Sequence, residues 1–237
     1  MRNPPPNYVE CNQHDPSWWE ARIGHCTASR IGDAIWTLKN GASSAAREKY
    51  KMELLTELIT GRPTEHYVSP AMDFGVENEP LARSVYEMRY GLEVERVGFF
   101  RNPRIPRSGA SPDGLVGDDG LVEIKVPNVT THLEYWLAEV PPPEYVPQMT
   151  WQLACTGRKY CDFVSFRPDL PDDFNLFVVR LDRDEEAIKT MEKQVAQFIS
   201  ELNALAEKLL KGKDYLTDQL ERSVAPGPPR AEIPTEL

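Results

Sequence analysis

Ser111-Pro112-Asp113-Gly114-Leu115, followed closely by Leu121-Val122-Glu123-Ile124-Lys125, is the stretch whose reading decides the fold. Leu121 to Val126 is apolar and β-branched around two charges, which predicts a short strand. Side chains of a strand alternate faces, so Glu123 and Lys125 point the same way and Ile124 points opposite. Pro112-Asp113-Gly114 is turn chemistry, and Gly117-Asp118-Asp119-Gly120 separates the two arms. A hairpin then brings Asp113 close to Glu123, with Lys125 on the same patch. Hard oxygen ligands suit Mg²⁺ or Mn²⁺, which keep several waters. A lysine beside a metal-bound water can orient it or stabilise charge building on a phosphate. That is equipment for hydrolysing a phosphodiester. The same letters also occur in an ordinary hairpin with a surface Glu–Lys pair, and the hairpin alone leaves these two readings balanced.

The 237 residues, 41% hydrophobic, suffice for one large domain with appendages. No segment is long and apolar enough to cross a membrane and no signal peptide opens the chain, so a cytoplasmic setting is expected. The cysteines Cys11, Cys26, Cys155 and Cys161 are scattered without zinc-type spacing and read as reduced thiols. A net charge of −10 argues, on its face, against nucleic-acid binding. The charge is uneven, however. Arg96, Arg101, Arg104 and Arg107 form a run with no acid between them, leading straight to Asp113.

Along the chain, residues 1–14 read as a flexible arm. Ser17 and Glu20 suggest a capping box for a short helix ending at Gly24, and Thr27 to Ile35 suggests a second helix. A Gly/Ala/Ser-rich loop over Lys39–Ser44 precedes a helix over Ala45–Thr60 with Leu54, Leu55, Leu58 and Ile59 inward. Ser69-Pro70 starts a helix to Tyr90 with Phe74, Leu81, Val85 and Met88 inward. Strands are expected over Leu92–Phe100, Arg107–Leu115, Leu121–Val126, Tyr160–Arg167 and Phe174–Leu181. Helices are expected over Thr131–Ala138 and Glu144–Cys155. Asp182 would cap a long amphipathic helix to about Leu210, with Ile188, Met191, Val195, Phe198, Ile199, Leu202 and Leu205 inward. The Pro-rich tail from about residue 226 reads as disordered. This order gives an α/β fold with a central mixed β-sheet flanked by helices. Residues 15–210 form the domain and 211–237 an extension.

Further side chains could join the hairpin. Glu79 offers a third carboxylate, although it fits equally on a solvated helical face. Gln148 and Gln152, one helical turn apart, share a face and could position a water, or simply be surface polarity. Arg22, Thr27 and Ser29 lie near helix termini, where hydroxyls and guanidinium groups bind phosphate; capping and an ordinary ion pair are the plainer alternatives. Ser111 could serve either group. His14, His25, His66 and His132 form no nucleophile–base arrangement, and the glycines make no nucleotide-binding fingerprint.

Five ordered blocks change the balance. Arg22-Ile23-Gly24-His25-Cys26-Thr27-Ala28-Ser29, Phe74-Gly75-Val76-Glu77-Asn78-Glu79, Ser111-Pro112-Asp113-Gly114, Glu123-Ile124-Lys125 and Tyr145-Val146-Pro147-Gln148 occur in the order and with the spacing of a known family. Over roughly residues 15–200 the chain resembles the phage lambda exonuclease, or YqaJ-like viral recombinase, family of the PD-(D/E)XK nuclease superfamily. The resemblance implies that Asp113, Glu123 and the main-chain carbonyl of Ile124 bind metal, with Glu79 at the same site. Lys125 and Gln148 would position the attacking water. Arg22, Ser29 and Ser111, with Thr27 in the same block, would hold a 5′-phosphate. It further implies Mg²⁺ as cofactor, with Mn²⁺ accepted and two ions bound. The implied activity is 5′→3′ digestion of one strand of duplex DNA from an end, by a homotrimeric ring working beside a single-strand annealing protein in a bacterial host. A ring reconciles an acidic exterior with a basic channel, for which the Arg96–Arg107 run is a candidate wall.

Trp36, Arg47 and Lys49 fall outside the matching blocks and are further candidates for DNA contacts. Rival readings are an iron–sulfur nuclease using the four cysteines, a non-enzymatic DNA-end-binding module, and an endonuclease of the same superfamily. The joint presence of Asp113, Glu123 and Lys125 favours catalysis.

Overall fold

A pair of strands, interrupted in the middle, links the two sheets of this molecule. The computed structural model describes residues 4–38, 42–64 and 69–210. Met1–Asn3, Lys39–Gly41, Glu65–Val68 (with His66) and the C-terminal extension from residue 211 lie outside the described residues. Strand β1 (Tyr8–Val9) precedes helix α1 (Pro16–Arg22). Strand β2 (Cys26–Thr27) leads through a 3-10 turn (Ala28–Arg30) into α2 (Ile31–Ile35), then α3 (Ala45–Thr60) and α4 (Pro70–Tyr90). Five strands follow: β3 (Val94–Glu95), β4 (Phe99–Arg101), β5 (Ser108–Ala110), β6 (Gly114–Val116) and β7 (Gly120–Lys125). Helices α5 (Val129–Ala138) and α6 (Val146–Thr156), strands β8 (Tyr160–Phe166) and β9 (Leu176–Asp182), and helix α7 (Glu185–Leu210) complete the order.

The expected α/β class with mixed sheets flanked by helices is what forms, but the single central sheet is divided. One sheet runs β1-β4-β5-β2 and the other β3-β6-β7-β8-β9. Each has one parallel pair, β2 with β5 and β7 with β8. The division arises because Leu92–Phe100 and Arg107–Leu115, expected as unbroken strands, each break in the middle. The β3–β6 and β4–β5 ladders keep a common register across the break, so Gly98 lies opposite Pro112. Proline has no N–H to give a ladder. At Gly98 a Cβ would come within 2.5 Å of the Val9 carbonyl, so the chain approaches too closely for any side chain.

The N-terminal segment fills this break. The Gln13 amide donates to the carbonyls of Val97 (3.1 Å) and Pro112 (2.8 Å), satisfying groups the ladder leaves unpaired. Tyr8 and Val9 pair with Phe100 and Phe99, and the Tyr8 hydroxyl accepts the Gly98 N–H at 3.1 Å. The Asn7 amide donates to the carbonyls of Arg101 and Cys155. Residues 4–14, expected as a flexible arm, are therefore tied to the domain. Their polar composition gave no sign that a sheet edge would receive them.

Alternation along β7 works as expected. Val122 and Ile124 face a cluster with Val164, Phe166, Ala82 and Tyr86, under α4. Leu121 faces the larger cluster with Phe163, Met149 and Leu153, which α3 and α7 also enter through Leu54, Val195, Phe198 and Leu202. All the apolar positions expected on α7 pack inward. The α4 face is different. Leu81 and Met88 are exposed, at 48% and 79%, while Ala82, Arg83 and Tyr86 are buried. Tyr86 fixes this rotation because its hydroxyl reaches Asp162 (2.7 Å) across the sheet. Helix starts shift slightly as well. Asp15 with Pro16 opens α1 in place of the Ser17 box. Asp184 rather than Asp182 accepts the first N–H groups of α7, since β9 runs through Asp182. Thr27–Ile35 is not one helix, because Cys26 and Thr27 pair with Ser108 and Gly109.

Arg47 and Lys51 of α3 are buried, and both bind Glu201 of α7: Arg47 at 2.6 and 3.0 Å, Lys51 at 2.6 Å. Removing the acid would leave two buried cations with only the half-exposed Glu48 beside them, so Glu201→Ala should cost about 2 kcal/mol in urea unfolding. The two cations hold the Glu201 carboxyl down at about 2, below its unfolded value. Its contribution is thus fully present above the ordinary glutamate range and is lost as pH falls towards 2. The stability difference between wild type and Glu201→Gln should accordingly be constant from pH 6 to 8 and shrink on acidification below about pH 4.

Candidate active site

Asp113 directly precedes β6, and the β6–β7 register sets it opposite Glu123. Its Oδ2 accepts the Ile124 N–H at 2.6 Å, which locks the carboxylate onto β7. Ile124 itself sends its side chain into the α4 cluster, so what it can offer on this side is main chain. Glu123 is 1% exposed and fully engaged. Its Oε1 receives the Lys125 ammonium and the Gln148 amide, each at 2.5 Å. Its Oε2 receives the Gln152 amide, also at 2.5 Å. Gln148 and Gln152 share one face of α6, as their spacing predicts. The Lys125 ammonium lies 5.1 Å from the centre of the Tyr145 ring, which stacks on Phe163.

The electrostatics of this group are lopsided. Burial, reinforced by the charges of Glu123 and Glu79, pushes Asp113 well above the ordinary carboxylate range. Burial alone would lower Lys125, but the neighbouring Glu123 and Asp113 outweigh it and raise the ammonium above its usual value. Glu79 approaches from α4, where it pairs with Arg83 one turn on. Arg83 looks like helix surface in the sequence. It is in fact buried beside Ala82, and its Nε has no hydrogen-bond partner among the described residues. The i,i+4 spacing from Glu79 was the available sign of this role.

A divalent cation fits this donor set. Asp113 and Glu123 lie opposite each other as hard oxygen donors, and Asp113 is short of positive charge. Among the described residues no three His, Cys, Asp or Glu side chains gather into a complete cage. Two carboxylates, a carbonyl and several waters are nevertheless the usual manner of holding Mg²⁺. The cysteines show no such fit to a cluster. Cys26, Cys155 and Cys161 are buried on β2, α6 and β8, and burial pushes each thiol up, Cys26 to about 12.

A second group of predicted residues lies next door. The Arg22 guanidinium stacks 4.0 Å over Trp18 and reaches Ser111 Oγ at 3.4 Å. Trp18 also donates its indole N–H to Ser111 Oγ at 2.8 Å, a support the sequence did not reveal. Arg22, Thr27 and Ser29 line one cavity of about 510 Å³ with Trp19, Tyr50 and Met72. Thr27 and Ser29 hydroxyls lie 3.4 Å apart, and the Thr27 N–H donates to the Tyr50 hydroxyl. Burial lowers Arg22 to about 10, and among the described residues no carboxylate forms an ion pair with it. The turn that aims Arg22 is fixed at Gly24, whose φ is +66° and whose N–H binds buried Glu57 at 2.8 Å. Ser111 touches this cavity's Arg22 and Asp113 joins the carboxylates, so the β5–β6 break connects the two.

Other candidates fall elsewhere. Arg47 is buried against Glu201, which removes it as a DNA contact. Arg104 pairs with Glu192 and Arg107 is buried against Asn203, so this part of the basic run is committed to α7. Trp36 and Lys49 are exposed.

Comparison with known families matches residues 17–159 to the YqaJ-like viral recombinase domain. The chain belongs to this family. Among solved structures, the family member is 43% identical to the alkaline exonuclease LHK-Exo of Laribacter hongkongensis, with a TM-score of 0.77 over 85% of this chain and 100% of that one. The same enzyme in complex with dAMP gives 42% identity and a TM-score of 0.78 over the same shares. A phage-related exonuclease of Haemophilus somnus 129PT, 15% identical, covers 78% of this chain and 96% of its own with a TM-score of 0.60, a likeness of fold alone. Comparison with curated proteins found no match.

Because the ionised form of Asp113 is disfavoured in the folded state, it carries a penalty that is absent at acid pH and complete once pH has risen through the raised value. Asp113→Asn should therefore raise the melting temperature in chelator, more at pH 9 than at pH 5, by about 2–4 °C for each kcal/mol relieved. It should also abolish any rise produced by Mg²⁺ in the wild type. Differential scanning calorimetry of both proteins, with and without Mg²⁺, measures this.

Proposed function

We propose that this chain is a metal-dependent exonuclease that digests one strand of linear duplex DNA in the 5′→3′ direction from a 5′-phosphorylated end. That it is a DNA exonuclease rests on its family and on its 43% identity to an alkaline exonuclease. The finer reading rests on one observation: Ser111 links Arg22, which has no ion pair among the described residues, to the Asp113–Glu123–Lys125 group two residues away. An end phosphate and a scissile phosphate can then be gripped by adjoining sites.

Asp113, Glu123 and the Ile124 carbonyl would hold Mg²⁺, with Mn²⁺ accepted and two ions the expected number; Glu79 would complete the negative wall, as in the PD-(D/E)XK pattern. When bound, such ions lower the pKa of a water ligand and neutralise charge on the phosphate. Lys125 brings an ammonium held protonated by its two acidic neighbours, ready to orient the attacking water and stabilise the pentacovalent charge. Gln148 offers its amide at the same oxygen of Glu123 and shares the positioning of that water. Arg22, with the hydroxyls of Ser111, Thr27 and Ser29, would hold the 5′-phosphate, since a guanidinium without an ion pair in a half-closed cavity favours a dianion. A homotrimeric ring, a single-strand annealing partner and action in a host-cell cytoplasm complete the proposal.

One digestion assay with Mg²⁺ tests it. Linear duplex with 5′-phosphates should lose one strand quickly, linear duplex with 5′-hydroxyls at least tenfold more slowly, and a closed circle should survive. Arg22→Ala should erase most of the preference for the phosphate. Cutting of the closed circle would make the protein an endonuclease, and end binding without cleavage in Mg²⁺ or Mn²⁺ would make it a non-enzymatic module.

A further inference from the structure

Gln152 lies deeper than Gln148 on the same face of α6 and is fully buried. Its amide N–H₂ donates to Glu123 Oε2, the oxygen that neither Lys125 nor Gln148 touches. Its amide oxygen is not idle, because the Cys161 thiol donates to it at 3.7 Å from β8. Cys161 is itself fully buried. Burial and the surrounding carboxylates keep its proton on the sulfur, so it is a donor and selects which end of the amide faces Glu123. Cys161, Gln152 and Glu123 thus form a directed chain that runs from the core to the carboxylate.

We infer that Gln152 is a positioning residue that reserves Oε2 of Glu123, so that this carboxylate presents only Oε1 to the reacting side, with Cys161 fixing the amide's orientation. The inference rests on Glu123 being a metal ligand, as proposed above. The physical ground is the asymmetry between the two oxygens. Oε2 is held by a neutral donor that is itself fully enclosed. Oε1 is shared by Lys125, whose side chain is 28% exposed, and by half-buried Gln148, both open to exchange for a cation. A carboxylate free to rotate could offer both oxygens to an ion or swing towards Lys125. One tethered at Oε2 cannot, and outer partners of this kind tune ligand geometry and affinity.

Gln152→Met keeps length and volume while removing the donor. Calorimetric titration of the full chain with Mn²⁺ should show roughly ten- to hundredfold weaker binding in Gln152→Met than in wild type. The kcat on 5′-phosphorylated linear duplex should fall by a similar factor with KM for the DNA unchanged, since the end-binding cavity is untouched. Cys161→Ser keeps a donor to the Gln152 oxygen and should retain Mn²⁺ affinity, whereas Cys161→Ala should weaken it. Wild-type affinity and kcat in Gln152→Met would overturn the inference. Should that variant not fold, the cysteine pair decides: equal Mn²⁺ affinity in Cys161→Ser and Cys161→Ala would overturn it equally. A wild type whose Mn²⁺ binding is unaffected by Glu123→Gln would instead overturn the metal site itself, a result distinct from either.

Discussion

The break at Gly98 and Pro112 is the constraint on which the rest depends. A single antiparallel register runs through it, yet no ladder can be made there, because proline lacks a donor and the neighbouring backbone excludes a side chain at the glycine. One strand pair is thereby shared between two sheets. Ser111 falls on the side of the β2 sheet, near Arg22, and Asp113 on the side of β7, beside Glu123. The two groups of predicted residues are thereby attached to different sheets, two residues of chain apart.

Charge is the second organising quantity. The domain gathers the half-buried Asp113, Lys125 and Arg22 with the buried Glu123 and Arg83. Buried charge is expensive unless it is paired and hydrogen-bonded. Glu123 meets that requirement completely, through one ammonium and two amides. Asp113 and Arg22 meet it only in part, and they are the groups whose deficits a cation and a phosphate would fill. Stability and activity pull in opposite directions at these two positions, as is common where a site is built to receive a charged ligand.

Much of this was legible in the sequence where chemistry is local. The alternation of β7, the i,i+4 placement of Gln148 and Gln152, the apolar stripe of α7 and the turn at Gly117-Asp118-Asp119 follow from periodicity and propensity alone, whereas Pro112-Asp113-Gly114, read as turn chemistry, continues the strand path in one register. What escaped was decided by distant partners. The strand pairing of Tyr8 and Val9 depends on an edge ninety residues away. The rotation of α4 depends on Tyr86 meeting Asp162 across the sheet. Arg47, Arg104 and Arg107 looked like surface charge because nothing near them in sequence announces Glu201, Glu192 or Asn203. Trp18 supports Ser111 and Arg22 from a turn away on α1, and residue type alone does not mark such support.

Helix α7 has a consequence for how the protein comes into being. It supplies Ile188, Val195, Phe198 and Leu202 to a core otherwise made from residues 26–177, and it brings Glu201, the acid that closes on both Arg47 and Lys51 at 2.6 Å. On a ribosome, where the chain emerges N-terminus first, the carboxylate hairpin is made long before this helix. Until α7 arrives, the cations of α3 have only the half-exposed Glu48 beside them and the apolar face of the larger cluster stands open to water. A nascent chain therefore carries the parts of a nuclease without the packing that holds them in register, and the fold closes late, over long sequence separations.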